Sequence, residues 1–316
     1  MWRNNINTMF GLFQKTPKQH DVLGSDLFSK EEFSLFFELI HKDLKNRNFS
    51  IKKIKSGFLF VKTLKRTEQI GLFNLAQTCT HEDKNLWPEI IKKHFDMMDD
   101  SAFEERLKND DFETNKELLA VQLYPINYFE AVKMSKDDFI TKIDIPEVLT
   151  TVVFDLPTTI QTVKNERLTK WNKTADEVLS IALANTLQKL QPEVFEQQLM
   201  GEKFFLISSE NILTAVVALR LQNFAQCNGE YGSLFSVPTR NAVLCYPIHN
   251  LGVVEFVYHF INMTIKLNNS NPGPITTNIY WNKNGAFTPL PYQFENNNIQ
   301  FSPPESFTNL LNSLKK

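Results

Sequence analysis

The stretch Gly232–His249, Gly-Ser-Leu-Phe-Ser-Val-Pro-Thr-Arg-Asn-Ala-Val-Leu-Cys-Tyr-Pro-Ile-His, constrains the fold more than any other. Two apolar runs, Leu234–Val237 and Ala242–Tyr246, flank Pro238-Thr-Arg-Asn241. Aromatic and β-branched residues suit a pleated, half-buried surface, and the break is built of turn formers. A helical stretch precedes the pair and an amphipathic one follows. The pattern predicts the central strands of an α+β protein with mixed or antiparallel sheets and helices packed on them. Arg240 is the only Lys, Arg, Asp or Glu in the stretch.

Two capping boxes fix helix starts upstream. Ser29-Lys-Glu-Glu32 opens a helix to about Asn46, whose Phe33, Phe36, Phe37, Ile40 and Leu44 form one apolar stripe. Thr174-Ala-Asp-Glu177 opens a second, running to about Leu190. Between them the sequence predicts strands at Phe49–Ile54, Gly57–Leu64, Gln69–Leu75, Leu118–Tyr124 and Val148–Leu156, and a helix at Leu86–Met98. Lys203–Ile207 reads as a strand and Glu210–Phe224 as a buried helix. Leu251–Leu267 presents Val253, Phe256, Val257, Phe260 and Ile261 on one helical face. Asn282-Lys-Asn-Gly285 supplies the turn of a hairpin between Ile275–Trp281 and Ala286–Thr288. A last helix is expected from Ser306 to Leu314.

Residues 99–117 are rich in charge, with a short helix expected at Ala102–Lys108, and mark a connection between two α/β halves. The expected division is a mobile leader at 1–28, an N-terminal half at 29–117 and a C-terminal domain at 118–316. Met9 offers an alternative start to Met1.

A formal net charge of −2 over 316 residues gives no reason to expect nucleic acid as a partner. No run approaches the roughly 20 apolar residues that span a bilayer, so no membrane partner is expected. Cys79, Cys227 and Cys245 form neither a CxxC pair nor a disulfide framework, which points to a reducing, cytoplasmic compartment.

The order of segments resembles a known family. Ile70-Gly-Leu-Phe-Asn-Leu75, Tyr124-Pro125 and Val152-Val-Phe-Asp-Leu-Pro157 are followed by Trp171-Asn-Lys-Thr-Ala-Asp-Glu177 and Ala184-Asn185. Val237-Pro-Thr-Arg240 and Gly273-Pro-Ile-Thr276 complete the set. Together they look like the bacterial family of domain of unknown function 1444, over about residues 30–305. Asn241 departs from that pattern, which has an acid after the arginine. The resemblance implies a cytoplasmic bacterial α+β protein and carries over no catalytic residues.

No phosphate-binding glycine loop, HExxH or GxSxG is present, so no cofactor and no metal site is expected. Glu255 and His259 lie one turn apart, but opposite their helix's apolar face. The acids worth weighing are Asp155, at a strand end, and Asp176, in a helix's first turn. Arg240, if buried, needs acceptors; Asp155 would make an internal strut, and an anionic ligand is the alternative. From Asn211 to Gln300 the only acidic or basic residues are Arg220, Glu230, Arg240, Glu255, Lys266, Lys283 and Glu295. That charge-poor surface, with Tyr280, Trp281 and Tyr292, has the composition of a protein-contact core. The leading expectation is a non-catalytic protein that binds a protein partner there. A hydrolase-like enzyme, or an anionic small-ligand binder using Asp155, Asp176 and Arg240, is the alternative.

Overall fold

A computed structural model describes residues 17–23, 27–55, 58–63, 67–96, 110–156, 160–296 and 298–314. The fold is α+β, with antiparallel sheets and helices packed on them. The chain divides into two compact units, 1–100 and 101–316.

In the first unit α1 (Gln19–Leu23) precedes α2 (Lys30–Asn46), whose Ser29–Glu32 capping box is formed in full. A three-stranded antiparallel meander follows, β1 (Ser50–Lys55), β2 (Phe58–Lys62) and β3 (Thr67–Gly71). Helices α3 (Phe73–Thr80) and α4 (Trp87–Asp96) close the unit. The expected stripe of α2 is buried against Leu59, Val61, Trp87, Ile91 and Phe95. Trp87 is the anchor that sequence periodicity passed over: its indole N–H donates to the Cys79 carbonyl at 2.8 Å. Residues 1–16 of the expected leader lie outside the described residues. Part of its remainder belongs to the core, because Val22 and Leu23 are buried and the Gln19 side-chain oxygen accepts from the Leu27 and Phe28 amides. Phe73–Leu75, expected as the end of a strand, instead begins α3.

The second unit opens with α5 (Phe112–Asn115), then β4 (Leu119–Pro125), α6 (Tyr128–Ala131), β5 (Thr141–Ile145), β6 (Val148–Asp155) and β7 (Ile160–Thr162). These strands form an antiparallel sheet with β6 at its centre. Helices α7 (Glu166–Trp171) and α8 (Ala175–Lys189) follow, α8 starting from the expected Thr174–Glu177 box. The outer edge of β4 is not left open. The Val121 amide donates to Thr186 Oγ1 at 2.8 Å, and Asn185 Nδ2 donates to the Leu119 carbonyl at 2.9 Å, so α8 supplies the missing ladder partners.

The larger sheet contains β8 (Glu193–Leu199), β9 (Glu202–Ser208), β10 (Ser233–Thr239), β11 (Ala242–Pro247), β12 (Ile279–Lys283) and β13 (Ala286–Pro289), in the order β13-β12-β10-β11-β9-β8. The stretch read first in the sequence is the middle of this sheet, and every residue of β10 and β11 is buried. Alternation sorts their side chains. Phe235, Val237, Val243 and Cys245 enter a core shared with β4, β6 and α8. Leu234, Leu244 and Tyr246 meet α9 (Val253–Ser270), through the face of Phe256, Val257 and Phe260 that the sequence predicted. The hairpin β14 (Tyr292–Glu295) with β15 (Asn298–Phe301) and helix α10 (Glu305–Ser313) complete the unit.

Two expectations are corrected here. Glu210–Phe224 is not an α-helix: Thr214–Asn223 is a 3₁₀ segment, broken where Arg220 leaves helical φ and ψ. Residues 110–117 do not end the first half; they sit in the second unit. Residues 97–109, with the expected short helix at Ala102–Lys108, lie outside the described residues. Asp110 pairs with Arg167 at 2.6 Å and Lys170 at 2.5 Å, while its carbonyl accepts from the Trp171 indole.

The hydrogen bond from Lys170, with the Arg167 and Lys170 charges, holds the Asp110 carboxyl below the usual carboxylate range. A depressed folded pKa contributes stability above the unfolded value of roughly 3.9 and loses it as pH falls through the lower folded one. Denaturant midpoints measured from pH 5 downward should therefore fall less in Asp110→Asn than in the native chain. The difference is expected to be small, because the pair is part-exposed and screened. Identical acid dependence of the two proteins would contradict it.

Candidate ligand-binding cleft

Helix α8 has two usable faces. Val178, Ala182 and Thr186 are buried toward the sheet. Asp176, Leu179, Ser180, Leu183, Ala184 and Leu187 recur at three- and four-residue steps and so share another stripe. That stripe forms one wall of a cleft of about 870 Å³. The floor comes from β4, β5 and β6. Lys142 lies opposite Thr150 in register, Val121 shares the Thr150 face of the sheet by alternation, and Asp144 joins the lining from the register shift that follows Lys142 in β5. The far wall is Leu219, Arg220 and Gln222 from the 3₁₀ segment, with Gly285–Phe287 from the β12–β13 turn.

The charges are arranged unevenly. Lys142 Nζ sits 3.5 Å from Asp144 and 3.9 Å from Asp176, so one ammonium serves two carboxylates. These contacts are solvated and hold little energy. Across the cleft, Arg220 gives one N–H to the Leu219 carbonyl at 2.8 Å and meets no carboxylate among the described residues. At the floor Thr150 is 2% exposed, and its hydroxyl has no hydrogen-bond partner among the described residues. Buried hydroxyls nearly always find one, and leaving one unmet costs free energy. The lining contains no histidine and no cysteine. Among the described residues no three His, Cys, Asp or Glu side chains gather as metal ligands. The arrangement suits recognition: an acid end, a basic end, and leucines between.

Of the residues weighed from the sequence, the cleft takes in only Asp176. Asp155 ends β6 as expected, but Lys189 holds it at 3.5 Å and it does not line the cleft. Arg240 meets no carboxylate among the described residues, so the Asp155–Arg240 strut does not form. Tyr280 and Trp281 are core residues, 0% and 7% exposed, and do not present a contact surface. The Tyr280 hydroxyl donates to the Pro146 carbonyl at 2.7 Å, joining the two sheets, and the Trp281 indole donates to the Tyr231 carbonyl at 2.9 Å. Tyr292 is half-buried, its hydroxyl on the Thr277 carbonyl. Glu255 is exposed on α9.

Sequence reasoning missed Lys142, Asp144, Thr150 and Arg220. Alternation was no guide to the first two, since β5 shifts register between Lys142 and Ile145. Nothing local pointed to Arg220, which arrives from 70 residues away in sequence only through the fold.

Comparison with known family models, with curated proteins and with solved structures returns no match. No helix among the described residues is long and apolar enough to cross a membrane.

Proposed function

We propose that the second unit is a non-catalytic binding module for a small organic acid with an apolar body, held in the cleft between α8 and the Arg220 wall. The observation that carries the reading is the Thr150 hydroxyl, buried at the floor with no partner among the described residues. A ligand group reaching it would satisfy a donor and acceptor that no described residue meets. Arg220 would take the acid, the leucines the body, and Asp144 with Asp176 any cationic or hydroxylated end. A cytoplasmic setting is part of the proposal, supported by three free buried cysteines. Membership of the family of domain of unknown function 1444 is carried as a proposal too, on the segment order alone.

Thr150→Val is the test. It keeps shape and removes the unmet hydroxyl, so the variant should be more stable by about 1 kcal/mol in chemical denaturation. The same variant, and Arg220→Ala, should bind organic acids found in a thermal-shift screen several-fold more weakly. A ligand held equally well by both variants would remove the cleft from consideration.

A protein partner on the charge-poor C-terminal surface is the second reading. It is favoured by Phe294, which stands 57% exposed on the β14–β15 hairpin where the sequence carries few charges.

A further inference from the structure

The three-stranded meander of the first unit has two unlike faces. Ile51, Ile54, Leu59, Val61 and Ile70 turn to the core of that unit. Strict alternation would send Ile51 and Ile54 to opposite faces. A register shift between Ile51 and Lys53 keeps both inward and sets Lys53 opposite Phe60. Phe58, Phe60 and Lys62 then share the outer face of β2 by alternation. The two rings are half-buried and take no part in the core.

This outer face carries rings and cations that the unit does not use. Lys53 Nζ stands 4.4 Å from the Phe60 ring centroid. The Phe58 ring lies beside Gly71 of β3, its partner in register, where a Cβ would come within 3.4 Å of it. Lys52, Lys53 and Lys62 are exposed and make no ion pair with any described residue. A net charge summed over the whole chain conceals this concentration. Residues 50–71 hold six lysines and arginines against one acid, Glu68.

An occupant must bring anions to the lysines and flat groups to the rings. The core of a protein contact is depleted in lysine, which disfavours a protein there. A membrane surface takes up projecting apolar side chains. Of the large apolar side chains exposed among the described residues, none lies on β1, β2 or β3. Unpaired bases on a phosphate chain meet both demands, because bases stack on rings while phosphates take the ammonium groups. Phe58 and Phe60 are two residues apart, about 6.6 Å along the strand. Successive bases can therefore each reach a ring.

We propose that the outer face of this meander binds single-stranded nucleic acid, stacking bases on Phe58 and Phe60 while Lys52, Lys53 and Lys62 meet the phosphates. The site lies within the first unit and shares no residue with the cleft of the second.

The test is fluorescence anisotropy on the full chain with labelled oligo-dT and oligo-U of about 12 nucleotides, titrated between about 50 and 200 mM salt. The native protein should bind at least one of them saturably. A preference between them assigns DNA or RNA, and equal binding assigns both. A duplex of the same length should bind at least tenfold more weakly, since paired bases cannot reach the rings. Phe60→Leu should weaken binding several-fold and leave the salt dependence unchanged. Lys53→Gln should lower the slope of log affinity against log salt by about 0.7, the share of one phosphate contact on a single strand. The proposal is overturned if neither oligomer binds saturably, or if the duplex binds as tightly as the single strands. Sedimentation with phosphatidylserine vesicles, without oligomer binding, would give the face to a membrane and overturn it too. So would a folded Phe60→Leu that binds as the native chain does. Should Phe60→Leu fail to fold, an unchanged salt slope in Lys53→Gln overturns it instead.

Discussion

Trp281→Ala should destabilise the protein by about 3–5 kcal/mol in chemical denaturation, the range for emptying a buried aromatic site. The indole is 7% exposed, packs edge-on to Phe307 with centroids 5.3 Å apart, and donates to the Tyr231 carbonyl at 2.9 Å. Truncation would leave a cavity between β12 and α10 and strip the part-buried Tyr231 carbonyl of its donor. Trp281→Phe should retain most of the packing and lose the hydrogen bond, at about 1 kcal/mol. A surface residue of a partner interface behaves oppositely, with an unchanged melting temperature and altered association. An alanine variant as stable as the native chain would return Trp281 to the surface.

That contrast shows what was legible in the sequence and what was not. The charge-poor run from Asn211 to Gln300 was visible, but its cause was not. Charges disappear from a strand when both of its faces are covered. Here β10, β11 and β12 lie between the core shared with β6 and the core under α9. Tyr280 and Trp281 point to opposite faces and both are buried. Composition alone cannot tell a strand covered by its own chain from one awaiting another's.

The helices were easier. Ser29 with Glu32, and Thr174 with Glu177, are local chemistry: each side chain meets the other's backbone amide three residues along, and both boxes form. The Asn284–Gly285 turn is local too, with φ of 55° and 81°. Strand β8 was missed for the opposite reason. Glu193–Leu199 is an edge strand, mostly exposed, and among the described residues it pairs only with β9. Neither alternation nor apolar content marks such a segment. Thr214–Asn223 had the apolar girth of a buried helix, yet burial does not distinguish α from 3₁₀ geometry. The cleft drew on six separate stretches of chain, of which only Asp176 was marked by its position at a helix start.

Gly232→Ala is expected to have an effect of similar size to Trp281→Ala, through backbone and not side-chain packing. Gly232 lies at φ +89°, where an L side chain is strained, and a Cβ would meet the Asn282 carbonyl oxygen at 2.3 Å and the Trp281 indole nitrogen at 2.8 Å. The obstacle is mainly backbone, so no rotamer change relieves it. The glycine's own groups are also committed: its amide donates to the Gly229 carbonyl at 3.0 Å and its carbonyl accepts from the Ile248 amide at 2.8 Å. Movement would pull on β10 where Ser233 pairs with both Pro247 and Asn282, the entry to the central strands. Left-handed strain of about 1–2 kcal/mol and forced displacement of a packed strand at about 1–3 kcal/mol together place the loss near 3–4 kcal/mol. Gly285→Ala separates the two causes. It has φ +81° with nothing within 4 Å of its Cβ, so only the strain should register, at about 1 kcal/mol. Equal losses in the two variants would mean that the approach of β12 to Gly232 does not constrain the sheet.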